Sequence, residues 1–269
     1  MTPADYIQPD RDARTEGLRA VFGRAWSTVV ENASGQGDQG IPTLLAALFE
    51  IEAWRPWLAE ALHLLSPAEQ ERVRRKLRTT DQDELALAYA LHRLVLGSFL
   101  SCEPAGIELD RDSSGRPFVH GNGLHTSLSH ADGAVAVAVS RQGFVGIDME
   151  PAARASELPE IATSVMHPSE VDAFSRLSAG TRAQALLALW VRKEALLKAA
   201  GIGLVREMNS FEAPAGRSVG LPIADGTEGA EATIHMLEAG SMWVAAIAAL
   251  PETGFHAFWL FPEDNLSGF

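Results

Sequence analysis

Two carboxylates stand near the end of a short apolar segment, residues 145–151 (VGIDMEP). If this segment is a β-strand, Asp148 and Glu150 lie on one face and the apolar residues between and beside them lie on the other. Pro151 ends the strand, so the carboxylates lie beside a loop, where a hard divalent cation can keep water ligands and accept phosphate oxygens. Two solvated surface acids are the alternative, and this segment alone does not exclude them.

A second group of candidate residues lies in residues 190–198 (WVRKEALLK). On a helix, Trp190, Glu194 and Lys198 follow one another at intervals of four residues and share one face. Gly201 suits a helix that ends tightly against another backbone. The alternative is an ordinary amphipathic helix with a surface pair between Glu194 and Lys198.

The neighbouring residues Ser129 and His130 suggest a hydrolase in which the histidine activates the serine. Strand geometry argues against this, since neighbouring residues of a strand point to opposite faces, and no G-x-S-x-G elbow surrounds the serine. A pair that contacts phosphate at a strand end fits better, with a structural histidine as the alternative.

A basic run and the overall charge bear on the ligand. The chain has 35 acidic and 22 basic residues and a formal charge of −13, which argues against a general nucleic-acid binder. Against that background, a local cluster of cations indicates an anion site, although a solvated helix face is the usual explanation of such a run. The run consists of Arg72, Arg74, Arg75, Lys76 and Arg78.

Composition and targeting signals indicate a globular protein of the cytoplasm. The chain has 269 residues, 46% of them hydrophobic, which suffices for one large core or two modest ones. The single Cys102 excludes an internal disulfide framework and a cysteine-based zinc cluster. The first residues lack the apolar core of a signal peptide, and no apolar run is long enough to span a membrane.

The elements that must position these residues follow from the hydrophobic pattern. Residues 1–42 are expected to form a polar lead-in, and the apolar spacing from Leu44 to Leu65 predicts a helix. Ser66, followed by proline and then by Glu69, predicts a capped helix up to Lys76. A further helix is predicted after Asp81, which can cap it.

From Gly106 onward the pattern predicts strands, then helices, then strands again. This succession predicts an α+β protein of two similar lobes, although no sequence repeat proves duplication. We divide the chain into a lead-in (1–42), an N-terminal lobe (43–142) and a C-terminal lobe (143–269). The predicted strands are Ile107–Leu109, Arg116–Val119, His125–Ser129, Ala134–Ser140, Phe144–Glu150, Ser210–Glu212, Ala232–Leu237, Met242–Leu250 and His256–Phe261, and the intervening helices are Pro168–Leu177 and Arg182–Ala200.

Four segments, taken in order, resemble the signature of the 4′-phosphopantetheinyl transferases, in their long Sfp-type branch. The similarity extends upstream through residues 65–72 and covers roughly residues 65 to 211. The four segments are Gly115-Arg116-Pro117, Ser129-His130, residues 146–150 and residues 190–204.

The resemblance implies a monomer of two pseudosymmetric α+β lobes. The net charge and the lack of a membrane-spanning run predict neither a nucleic-acid nor a membrane partner. The resemblance also implies transfer of the phosphopantetheine arm of coenzyme A to a serine of an apo acyl or peptidyl carrier protein, with release of adenosine 3′,5′-bisphosphate. Asp148, Glu150 and Glu194 would hold Mg²⁺, Glu194 would be the base for the carrier serine, and Lys198 would contact phosphate and protonate the leaving group. The residues expected to bind coenzyme A are Arg75, Arg78, Arg116, Ser129, His130, Lys193 and Lys198.

One departure from the family pattern leaves a second hypothesis open. Family members often carry a basic residue near Thr79 and an arginine at the place of Glu84, both at the nucleotide end of coenzyme A. This chain has an uncharged residue and an acid there. A coenzyme A or carrier-protein binding module that has lost catalysis is therefore the alternative to an active transferase.

Overall fold

The protein folds into two α+β lobes, each built around a β-sheet and a 22-residue helix. This computed structural model describes residues 17–34, 42–121, 123–226 and 228–262. The predicted α+β class is confirmed. No helix among these residues is both long enough and apolar enough to cross a membrane.

The described helices are α1 (Leu18–Ser34), α2 (Ile51–Trp54), α3 (Leu58–Leu64), α4 (Pro67–Arg74), α5 (Thr79–Leu100), α6 (Ala162–Val165), α7 (Pro168–Ser175) and α8 (Ala179–Ala200). The described strands are β1 (Leu44–Glu50), β2 (Leu109–Arg111), β3 (Pro117–Val119), β4 (His125–Ala131), β5 (Ala134–Ser140), β6 (Val145–Pro151), β7 (Ser218–Pro222), β8 (Glu228–Leu237), β9 (Trp243–Ala249) and β10 (His256–Trp259).

The N-terminal lobe contains a sheet of order β10-β1-β5-β4-β3-β2, with α5 and α1 in its main hydrophobic core. Strand β10 pairs parallel to β1, and the other neighbours pair antiparallel. Two parts of the chain therefore lie outside the lobes expected for them. Helix α1, from the expected lead-in, packs in this core, and β10 from the C-terminal part completes this sheet.

The helix predicted from Leu44 to Leu65 is wrong in its first part, because residues 44–50 form β1. Strand β1 lies between two neighbours in the sheet, and Leu44 to Phe49 are all buried. A strand buried on both faces has no polar alternation, so its apolar run resembles a buried helix in sequence. The helical part begins at Ile51.

Other elements also differ from the sequence-based expectation. Helix α5 begins at Thr79, two residues before Asp81, and Arg78 at its N-cap makes no side-chain cap bond. Ser210–Glu212 is not a strand, whereas β7 at Ser218–Pro222 had no prediction. By contrast, the capping box of Ser66 and Glu69 at the start of α4 is confirmed.

The C-terminal lobe contains a sheet of order β6-β9-β8-β7 with α8 packed on it. Both lobes have a short capped helix before the 22-residue helix, α4 in one and α7 in the other. In each lobe a buried cation of the long helix pairs with the capping-box glutamate: Arg93 Nε with Glu69 and Lys193 Nζ with Glu170, both at 2.7 Å. Because Arg93 and Lys193 occupy the same position in their helices, this arrangement supports the predicted pseudosymmetry.

The two sheets pack against each other through an apolar layer rich in alanine, and β6 lies at the contact. Strand β6 is an edge strand of its own sheet. Its Ile147 and Met149 N–H groups donate to the hydroxyls of Ser127 and Ser129 on β4, at 3.1 and 3.4 Å. These hydroxyls satisfy backbone groups that would otherwise be left unpaired in the interior.

A buried histidine joins α5 to the N-terminal sheet and is expected to make the fold sensitive to acid. The Thr126 hydroxyl donates to the Ala138 carbonyl at 2.9 Å, so His92 Nε2, 2.8 Å from Thr126 Oγ1, is the donor of that bond. Nδ1 is buried without a partner among the described residues. Burial, together with the charges of Arg111 and Arg93, lowers the pKa of His92 to about 3.

We expect the protein to lose stability as the pH falls below about 6.5, the ordinary histidine pKa in the unfolded chain. The folded state then binds fewer protons than the unfolded state, so acid favours unfolding until the folded pKa is reached. His92→Gln keeps a donor but does not titrate. Between pH 7 and 5, urea unfolding of the native protein should lose about 2 kcal/mol more than that of the variant. Equal losses in the two proteins would contradict the prediction.

Candidate active site

The close approach of α8 to β6 brings the candidate residues of the two segments together. Gly146 faces α8, and a Cβ atom there would lie 2.0 Å from the Ala195 carbonyl oxygen and 2.4 Å from the Ala199 nitrogen. Only glycine permits this distance. As a result, Lys198 Nζ on α8 lies 2.7 Å from Asp148 Oδ1 on β6.

Asp148 is the buried centre of this site, with 4% of its surface exposed. Its Oδ1 accepts hydrogen bonds from Lys198 Nζ at 2.7 Å and from Ser129 Oγ at 2.8 Å. Its Oδ2 is buried and has no hydrogen-bond partner among the described residues. A buried carboxylate oxygen without a partner is costly unless a donor or a cation binds it.

Glu150 lies on the same face of β6 and forms an ion pair with Arg154. The Arg154 guanidinium also lies over the Trp190 ring, with its carbon 5.0 Å from the ring centroid. Burial and the nearby charge of Asp148 raise the pKa of Glu150, while the contact with Arg154 lowers it; the net shift is upward. Arg154 was not predicted from the sequence.

Glu194 is half-buried on the face of α8 that meets Asp148 and Glu150. Burial, and next the negative charge of Asp148, raise its pKa to about 7. Within the described residues Glu194 forms no salt bridge, and Lys198, one turn further on, bonds to Asp148 instead. The surface pair between Glu194 and Lys198, which was the ordinary explanation of this helix, does not form.

The donor set fits a hard divalent cation. Among the described residues no three acids, histidines or cysteines are arranged as a ready metal site. Two of the carboxylates are paired with Lys198 and Arg154. The three carboxylates are nevertheless close enough for the charges of Asp148 and Glu150 to raise the pKa of Glu194. Asp148 Oδ2 is unpartnered, and oxygen ligands of this kind suit Mg²⁺.

A cavity of about 200 Å³ lies between the lobes, beside these carboxylates. The hairpin between β2 and β3 forms one wall, and the end of α8 forms another. Ser114 Oγ donates to the Gly201 carbonyl at 2.9 Å, and a Cβ at Gly201 would lie 2.6 Å from Arg116 Nη1. The lining residues that carry a charge are Arg111, Arg116, Glu194 and Lys198.

Cations surround the N-terminal side of this cavity. Arg111 lies over the Tyr89 ring at 5.0 Å, and its Nη2 is buried without a partner among the described residues. His130 is exposed at the surface, yet the protein around its ring and the charges of Lys198, Lys76 and Arg111 lower its pKa to about 4. A neutral His130 among three cations can donate to or accept from an anionic ligand.

Arg111 belongs to no recognised sequence motif, and the sequence analysis did not include it among the candidate site residues. The basic run did include Lys76, although it was not among the candidate site residues.

Arg75 and Arg78, both expected to bind coenzyme A, lie on the surface beside this region. Arg75 pairs with Glu71 at 3.2 Å and Arg78 with Asp81 at 3.7 Å, and both side chains are more than 70% exposed. Neither lines the cavity. Their role stays a prediction.

Two residues expected to bind coenzyme A are buried and hydrogen-bonded within the protein. The Lys193 ammonium is fully buried and donates to Glu170 and to the carbonyls of Val165, Met208 and Phe211, at 2.7–2.9 Å. With four acceptors and no exposed surface, it is not available to a ligand. This corrects the role expected for Lys193.

Ser129 is buried as well, and its hydroxyl proton is directed at Asp148. In this structure it orients the carboxylate and accepts a hydrogen bond from the Met149 N–H of β6. Its expected contact with phosphate stays a prediction. Sequence alone does not reveal either partner, because each contact joins distant parts of the chain.

The structure thus brings together a buried carboxylate paired with a lysine, two further acids and a cavity lined by two arginines. Residues 144–248, which include Asp148, Glu150, Glu194 and Lys198, match the family model described as the 4′-phosphopantetheinyl transferase superfamily.

Among curated relatives, the chain is 27% identical over 176 residues to the 4′-phosphopantetheinyl transferase HetI of Nostoc sp., covering 61% of this chain and 74% of that protein. It is 30% identical over 148 residues to the 4′-phosphopantetheinyl transferase gsp of Aneurinibacillus migulanus, covering 55% of this chain and 60% of that protein. It is 30% identical over 171 residues to a phosphopantetheinyl transferase of Thraustochytrium sp., covering 57% and 59%. The alignments thus span less than two thirds of the last two relatives.

These matches agree with the resemblance to the 4′-phosphopantetheinyl transferases, and with the class of enzyme, predicted from the motifs.

Proposed function

We propose that this protein transfers the 4′-phosphopantetheine arm of coenzyme A to a serine of an apo acyl or peptidyl carrier protein, in a Mg²⁺-dependent reaction that releases adenosine 3′,5′-bisphosphate. The observation that carries the proposal is the cluster of Asp148, Glu150, Glu194 and Lys198 beside a cavity walled by arginines. All these residues belong to one chain, so we propose that a monomer suffices.

Coenzyme A is a polyanion and needs a local basic site on this acidic protein. Arg111, Arg116 and Lys198 line the cavity between the lobes, and His130 lies within reach of the charges of Arg111 and Lys198. We assign these four residues to the phosphates. Arg75 and Arg78 stand nearer α5, where they are available to the nucleotide end.

Asp148, Glu150 and Glu194 would hold the metal ion, with the unpartnered Asp148 Oδ2 as one ligand atom. Ser129 would keep the Asp148 carboxylate in place through Oδ1. When bound, Mg²⁺ would neutralise charge on the pyrophosphate oxygens as the bond between the phosphates breaks.

The reaction breaks the phosphoanhydride bond of coenzyme A and forms a phosphoester bond to the carrier serine, and the chain's residues supply positioning and proton transfer. The carrier serine oxygen attacks the phosphorus of the arm, and the bond to the oxygen of adenosine 3′,5′-bisphosphate breaks. Glu194, with a pKa of about 7 before the metal binds, accepts the serine proton, directly or through one water. Lys198 stabilises the leaving phosphate and can give it a proton.

The alternative of a binding module without catalysis rests on Thr79 and Glu84 in place of basic residues. Glu84 is half-buried, and burial raises its pKa above the ordinary value despite the nearby charge of Arg55. An acid at this position does not assist a nucleotide phosphate. Glu84 is not part of the cluster of carboxylates around Asp148, so we favour the active transferase.

Incubation of the purified full chain with coenzyme A, Mg²⁺ and a panel of apo-carrier proteins tests the proposal. We expect mass spectrometry to show the added arm on at least one carrier, with no addition to its serine-to-alanine variant. Removal of metal with a chelator should abolish transfer, and Mg²⁺ should restore it. Binding of coenzyme A without transfer to any carrier would favour the binding module, and transfer that persists without metal would contradict the proposed metal role.

A further inference from the structure

Three carboxylates and two cations share the cluster around Asp148. Lys198 pairs with Asp148 and Arg154 pairs with Glu150, whereas Glu194 has no salt bridge within the described residues. Each cation thus occupies a carboxylate that a divalent metal ion would use. An entering metal ion therefore meets the positive charge of both side chains.

Lys198 does not have to leave Asp148 for a metal ion to bind. Both Lys198 and Ser129 bond to Oδ1, at 2.7 and 2.8 Å. The other oxygen, Oδ2, is buried and unpartnered among the described residues. One oxygen can therefore bind a cation while the other keeps its present contacts.

Arg154 is placed differently. It lies in the 3-10 turn Ala152–Ser156 directly after β6, and 32% of its side chain is exposed. Its guanidinium lies over the Trp190 ring at 5.0 Å, a favourable contact that does not depend on Glu150. Arg154 can therefore release Glu150 and remain stacked on Trp190.

We propose that Arg154 is a positioning residue that holds Glu150 in the metal-free protein and yields this carboxylate when the divalent cation binds; the inference rests on the metal site of the proposed function. In the metal-free protein the ion pair offsets repulsion among the acids. It also weakens binding of the metal alone, so that the metal is retained mainly when the substrate's pyrophosphate adds further ligands.

Titration of the full chain with Mn²⁺, without coenzyme A or carrier, tests this role. The electron paramagnetic resonance signal of free Mn²⁺ reports binding independently of activity. For Arg154→Gln we expect a Kd about tenfold lower than for the native protein, because the competing ion pair is lost. Adding Asp148→Asn to that variant should remove the tightened binding, which locates it at this cluster.

Arg206→Gln is the matched control for a change of nearby charge. Arg206 lines a pocket together with Trp190, bonds to Ser210 and lies over Phe211. Among the described residues the ion pair of Glu150 is with Arg154. The Mn²⁺ affinity of Arg206→Gln should stay within about twofold of the native value.

Several results would overturn the role of Arg154. These are unchanged or weaker Mn²⁺ binding by Arg154→Gln, no Mn²⁺ binding by any of the proteins, the same tightening in Arg206→Gln, or tightening that survives Asp148→Asn. The carrier assay separates this result from the proposed function. Transfer with unchanged Mn²⁺ affinity removes only the role of Arg154, and altered affinity without transfer removes only the transferase.

Discussion

Asp148→Asn is expected to lower kcat/KM for arm transfer by about three orders of magnitude, equivalent to roughly 4 kcal/mol of transition-state stabilisation. The substitution keeps the shape of the side chain and an oxygen for Ser129 and Lys198. It removes the negative charge that pairs with Lys198 at 2.7 Å and that would hold the metal ion. Steady-state kinetics with the best carrier of the panel measures the effect.

Asp172→Asn is the matched control, because Asp172 lies exposed on α7 and takes no part in the cluster. Its kcat/KM should equal that of the native protein. Chemical denaturation should show Asp148→Asn to be folded under the assay conditions. A folded Asp148→Asn variant that keeps more than about a tenth of the native kcat/KM would refute the central role given to this carboxylate.

Gly146→Ala is expected to have the largest effect on stability, a loss of about 4 kcal/mol or more in the free energy of unfolding. The added Cβ would lie 2.0 Å from one backbone atom of α8 and 2.4 Å from another. Neither atom belongs to a flexible side chain, so α8 must move away from β6. Urea unfolding measures the loss, and activity should fall with it because Lys198 moves away from Asp148.

Gly23→Ala provides the comparison within the same chain. Gly23 lies inside α1, and an added Cβ there meets no atom within 4 Å. Alanine favours the helix, so this variant should be about 0.5–1 kcal/mol more stable than the native protein. If both alanine variants changed stability equally, the close packing of α8 on β6 would not be the cause.

Local sequence patterns predicted the parts of the fold that depend on near neighbours. The capping box of Ser66 and Glu69 requires only residues three positions apart. Ile147 and Met149 lie in the apolar layer between the sheets. The alternation in residues 145–151 correctly predicted that Asp148 lies on the other face of the strand. Strand and helix periodicity decide such features, whatever the distant packing is.

Other features depend on contacts between distant residues and could not be predicted in this way. Strand β1 resembled a helix because burial on both of its faces removes the polar alternation. Lys193 stands next to Glu194 in the motif, yet helix geometry turns it toward Glu170 and three carbonyls. Arg111 and Arg154 could be recognised as site residues only from the structure, because their partners are distant in sequence. Arg111 lies over the Tyr89 ring and Arg154 over the Trp190 ring.

The pairing of β10 with β1 has a consequence for how the chain reaches its folded state during synthesis. Leu45 of β1 pairs with His256, and Trp54 Nε1 donates to the Leu260 carbonyl at 3.2 Å. The first lobe therefore lacks an edge strand until the residues of β10 have left the ribosome. Until then β1 presents an open, apolar edge, the kind of surface that chaperones protect and that aggregates pair with.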